Sequence, residues 1–82
     1  MIEWRGLKQK HGWKLNRGYI NGCYVSISDE GNHHYYWELS EDISIDEEQH
    51  TIASGRLMKM YYSWDDAIKV VESLASSILE GF

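Results

Sequence analysis

The last twenty residues, SWDDAIKVVESLASSILEGF, constrain the fold of this chain most. Trp64, Ala67, Ile68, Val71, Leu74, Ala75, Ile78 and Phe82 recur at helical spacing, and Asp65, Asp66, Lys69, Glu72, Ser73, Ser76 and Ser77 fill the positions between them. Ser63 suits an N-cap, Asp66 three residues on completes a capping-box pattern, and the aspartates favour the positive end of the helix dipole. Gly81 is a natural stop. The spacing predicts an amphipathic helix over 63–81. A lone helix cannot bury its own apolar stripe, so residues 1–62 must supply a surface for it.

That surface reads as a sheet. Asn21-Gly22 is the strongest short hairpin signal, because both positions of the turn must accept positive φ. SDEGN supplies a second turn, a three-residue loop with Gly31 in the left-handed position. Alternation sorts the faces. Cys23, Val25 and Ile27 point one way beside Tyr35, Trp37 and Leu39. Tyr24, Ser26 and Ser28 point the other way with His34, Tyr36 and Glu38, and the two-residue turn sets Tyr19 opposite Tyr24. TIASGRLMKMY reads as a fourth strand with a bulge at Gly55. The expected fold class is α+β: an antiparallel meander of about four strands, with one C-terminal amphipathic helix packed on one face. The pattern of residues 1–12 fits either an extra strand or an ordered arm. Trp37 and Leu74 are expected to be the most costly side chains to truncate.

Eighty-two residues make a single domain, with roughly 60–65% of the unfolded surface buried on folding. At 43% hydrophobic and 26% charged residues, the composition is that of a globular chain. Cys23 is the single cysteine and has no internal disulfide partner, as suits a reducing compartment. No leader pattern and no apolar run of spanning length occur, so the expectation is a cytoplasmic protein outside the membrane. The net charge of −5 is unevenly spread. Residues 1–28 carry Arg5, Lys8, Lys10, Lys14 and Arg17 against Glu3 alone. Residues 29–50 carry eight acids and no Lys or Arg.

Catalytic and metal chemistry find little support. His33 and His34 are adjacent, and on a strand they point to opposite faces, away from any shared ion. Asp42, Ser44 and Asp46 alternate as in a calcium loop, but Glu47 stands where glycine is needed and Ala53 where the closing glutamate belongs. No serine lies in a nucleophile elbow, and no glycine-rich phosphate loop occurs. Cys23 reads as a small buried hydrophobe. The sequence therefore points to a non-enzymatic protein without metal or cofactor.

The remaining candidate is the outer face of the sheet. Tyr19, Tyr24, His34, Tyr36 and Glu38 lie there by parity, and Glu41, Asp42, Asp46, Glu47 and Glu48 follow in an acidic connection. Aromatic patches rimmed by charge are common protein-interface anatomy. A run of acids favours a basic partner, such as a nucleic-acid-binding complex, and imitates a phosphate backbone. Self-association would use the same surface. A single-stranded nucleic acid could stack on Tyr19, Tyr24 and Tyr36, but the net charge speaks against it, with the N-terminal basics taken to neutralise the acids within the fold.

The run of YYWEL, then IASGRLM, then SWDDAIKVVESLA resembles small proteins encoded by phages and other mobile elements, of the anti-CRISPR and anti-defence kind. That resemblance implies an acidic inhibitor that occludes a host nucleic-acid-handling complex without catalysis. The helix opening SWDDA also looks like sheet-plus-helix antitoxins of the HicB type, though the glycine-aspartate lead-in of that family is missing. Neither resemblance assigns a role to a residue.

Overall fold

The computed structural model describes residues 2–10, 13–41 and 50–81. Five strands run in chain order: β1 (Glu3–Lys10), β2 (Trp13–Ile20), β3 (Cys23–Asp29), β4 (His34–Glu41) and β5 (Thr51–Met58). They form one antiparallel sheet in the order β1-β2-β3-β4-β5, followed by the helix α1 (Trp64–Glu80). The α+β meander with one C-terminal helix is as the pattern predicts, with five strands in place of four. The additional strand is β1, whose alternation is broken. Trp4 pairs with Gly18 and Leu7 with Asn16, so β1 carries one residue more than β2 at a bulge that contains Gly6 at φ 106°.

The turns follow the local chemistry. Asn21 and Gly22 have φ of 49° and 77°, and Ile20 pairs with Cys23 across them. Gly31 has φ of 80°, and its N–H donates to Asp29 Oδ1 at 3.0 Å. His33 lies in this turn, not on the strand, and His34 is the first residue of β4. The bulge expected at Gly55 falls instead at Ile52, because Leu39 pairs with Ala53 and Ser40 with Thr51. Gly55 pairs regularly with Trp37. A Cβ there would lie 2.9 Å from the indole Nε1, so the glycine makes room for the ring.

Ser63 Oγ accepts the Asp66 N–H at 3.2 Å and caps α1. The helix covers the face that carries Val25, Ile27 and Leu39. These three and Ala67, Val71 and Ala75 are all fully buried, with Ile2, Ile20, Cys23, Tyr35 and Trp37 around them. Leu74, expected with Trp37 to be the most costly to truncate, is only half-buried and packs against this core. The small residues Ala67 and Ala75 bring the helix axis close to the sheet, and Val71 between them fills the middle. Trp4 Nε1 donates to Glu72, tying β1 to α1, and Lys59 pairs with Asp29 beside the second turn. The Tyr35 ring meets Trp64 edge-on at 5.6 Å. No helix among the described residues is long and apolar enough to cross a membrane.

Candidate functional site

The helix covers one side of the sheet and leaves the other open. Register places the residues of the open side in rows across the strands. One row runs Glu3, Tyr19, Tyr24, Ser40, Thr51, and the next runs Arg17, Ser26, Glu38, Ser54. A third carries Leu15, Ser28, Tyr36 and Arg56, and the last pairs His34 with Met58. Tyr24 and Tyr36 are thus four residues apart along the strands, roughly 13 Å. Tyr19, Tyr24, His34 and Tyr36 are all half-buried, but they form two groups and not one continuous patch. The Arg17–Ser26–Glu38 row separates them.

The first group is the more organised. The Tyr19 and Tyr24 rings lie 4.5 Å apart at 49°, and the Arg5 guanidinium sits 4.7 Å above the Tyr19 ring. Beside them a cleft of about 500 Å³ is lined by Arg5, Arg17, Tyr19, Tyr24, Ser26 and Glu38, with Ser40 at its edge. Ser26 has little side chain, so the middle of the cleft is low, with arginine on one flank and carboxylate on the other. Glu38 Oε1 accepts hydroxyl hydrogens from Ser40 and Thr51, each at 2.9 Å, which fixes the carboxylate against the sheet. Its other oxygen has no hydrogen-bond partner among the described residues.

Arg5, Arg17 and Arg56 are exposed and have no carboxylate partner among the described residues, where the one ion pair is Lys59–Asp29. The N-terminal basics are expected to neutralise the acidic connection, and residues 42–49 of that connection lie outside the described residues. Asp65, Asp66, Glu72 and Glu80 belong to α1, on the other side of the sheet. Glu41 is exposed and pairs with Cys23, so its register is that of the helix side. Asp42, Asp46, Glu47 and Glu48 lie outside the described residues. Trp4 faces α1, and Trp13, which shares parity with Leu15, Arg17 and Tyr19 at the far end of β2, is 54% exposed.

Arg17 was legible as a site residue, since it shares parity with Tyr19. Arg5 was not, because its place depends on β1 and on the bulge. A second exposed cluster, Met58, Met60 and Tyr61, runs from the end of β5 into the turn before α1. Cys23 is a buried thiol in the core. Among the described residues no three His, Cys, Asp or Glu side chains converge as a metal site would require. In comparison with known proteins, the chain matches no family model, no curated protein and no solved structure.

Proposed function

We propose that this chain is a non-catalytic binding domain whose open sheet face receives a phosphate-bearing single strand. One observation carries the reading: Arg5, Arg17 and Arg56 lie unpaired among the described residues, on the face that holds the Tyr19–Tyr24 pair. Single strands are held by this combination, with arginines on the phosphates and aromatic rings under the bases. The described acids of α1 lie on the other side of the sheet, so on the open face the three arginines outnumber the described carboxylates, Glu3 and Glu38. Fluorescence anisotropy with a labelled thymine octamer tests the reading. Binding should weaken with salt at a slope near −2 in log K against log salt, as three phosphate contacts imply. Arg17→Ala should flatten that slope. An octamer that stays free at low salt would end this reading.

A second reading treats the chain as an acidic protein-binding inhibitor of a host nucleic-acid-handling complex. It is supported by the net charge of −5 and by the exposed apolar cluster Met58, Met60 and Tyr61. Here Glu41, Asp42, Asp46, Glu47 and Glu48 would meet a basic partner. A nuclease-treated pull-down tests it: a protein complex retained by the wild type and lost on reversing those five charges supports it. Capture that survives the reversal counts against it.

A further inference from the structure

We propose that the cleft between the Tyr19–Tyr24 pair and Glu38 seats one base of the bound strand, and that Glu38 makes it prefer guanine to thymine or uracil. The proposal rests on the single-strand reading and adds to it which base is chosen and by which group.

The dimensions suit a base. A cleft of about 500 Å³ lies within the range of small-molecule sites and has room for one nucleotide. Tyr24 pairs with Ser40, so Glu38 is its diagonal neighbour on β4, roughly 7–8 Å away between Cα atoms. Arg17 and Glu38 flank Ser26 directly, about 10 Å apart across two strand spacings. A flat ring entering over Ser26 therefore meets a tyrosine ring at one end and a carboxylate at its edge. Its phosphate falls toward Arg17 and Arg5.

The carboxylate supplies the selectivity. Guanine presents two adjacent N–H donors on its pairing edge, N1–H and the N2 amino group, and the carboxylate oxygen not held by Ser40 and Thr51 has two lone pairs to accept them. Thymine and uracil present carbonyl oxygens on either side of a single N–H, and those oxygens face the negative charge of Glu38 unfavourably. Glu38 is suited to this use because Ser40 and Thr51 hold one oxygen in place, leaving the other without a partner among the described residues. An orienting group held in this way loses little freedom when the ligand arrives. Arginines alone would bind every strand equally. A carboxylate set among them lowers affinity for a plain polyanion, and is useful where it reads a donor edge.

The test compares a labelled thymine octamer with the same octamer carrying guanine at its central positions. The wild type should bind the guanine octamer about tenfold more tightly, the discrimination expected of charge-assisted N–H contacts to one carboxylate oxygen. Glu38→Gln, which still accepts from Ser40 and Thr51, should bring the two affinities to within about threefold and leave the thymine octamer bound at least as well. Tyr24→Leu should weaken both octamers together. If Glu38→Gln lowers the melting temperature, Ser26→Val provides a second route, since it fills the low middle of the cleft and should also remove the preference. GMP that competes with the octamer would identify a free nucleotide as a sufficient ligand. GMP that fails to compete while the octamer binds would assign the base to a strand. Equal binding of the two octamers by the wild type, or a preference that survives both variants, overturns the base site and leaves the single-strand reading standing. Failure of both octamers to bind removes the two together.

Discussion

Asp29 shows how one residue responds to opposing influences. Burial alone would push its carboxyl above the ordinary value of 3.8. The hydrogen bonds from Lys59 and the Gly31 N–H, with the positive charges of Lys59 and Lys14, outweigh burial and hold it below that value. A carboxylate depressed on folding contributes stability above its unfolded pKa and loses that contribution as pH falls through its folded one. Asp29→Asn is therefore expected to be less stable than wild type at neutral pH, and the gap should close as denaturation is followed below pH 3.8. Gly18 responds to space instead. A Cβ there would lie 2.5 Å from Ile2 Cγ2 and 2.9 Å from the Glu3 carbonyl oxygen, and the backbone atom cannot swing aside. Gly18→Ala is expected to cost about 1–3 kcal/mol in denaturant melts, loosening β1 from β2. Asn16 is 7% exposed, and its Oδ1 has no partner among the described residues. Asn16→Leu should raise stability by about 1 kcal/mol, because an unsatisfied buried acceptor is removed.

Helix α1 depends on its central line more than on its larger side chains. Val71 is fully buried and Leu74 is half-buried, although helical spacing alone ranks them alike. Val71→Ala should cost roughly 2–3 kcal/mol, the loss of two methyls plus the cavity, and Leu74→Ala less. A larger loss at Leu74 in urea melts would contradict the packing. Ser63→Ala should cost about 1 kcal/mol through loss of its bond to the Asp66 N–H. The β2–β3 hairpin was fully legible because the Asn21-Gly22 turn fixes its register in both directions. Strand β1 was not, because its bulge near Gly6 breaks the alternation on which strand reading depends.

Across the molecule, the described acids of the helix and the three arginines lie on different sides of the sheet, with Glu3 and Glu38 on the arginine side. Described acids of α1 face one way, while Arg5, Arg17 and Arg56 face the other. Net charge of −5 averages over this division and conceals it. A ligand approaching the open face meets the local field within a Debye length, about 10 Å at moderate salt, more than the distant total. Reversing α1 charges, as in Asp65→Lys with Glu80→Lys, should therefore change octamer affinity less than the single change Arg17→Ala. A larger effect from the helix changes would mean that net charge controls binding.

Short-range chemistry in the chain was sufficient for the helix, its cap, both turns and the inward or outward direction of residues 23–28 and 34–39, though not for Glu41, whose register is that of the helix side. These rest on periods of 2 and 3.6 and on backbone preferences within a few residues. The tyrosines and Glu38 could be placed on the open face for that reason. Their grouping could not, because distance along a strand matters as much as side. Folding also set Arg5 over Tyr19, anchored Glu38 on Ser40 and Thr51, and opened the low middle at Ser26. Except for Glu38–Ser40, which lies within β4, these contacts join residues from different strands, and their positions follow from strand order and the β1 bulge, which no local pattern encodes.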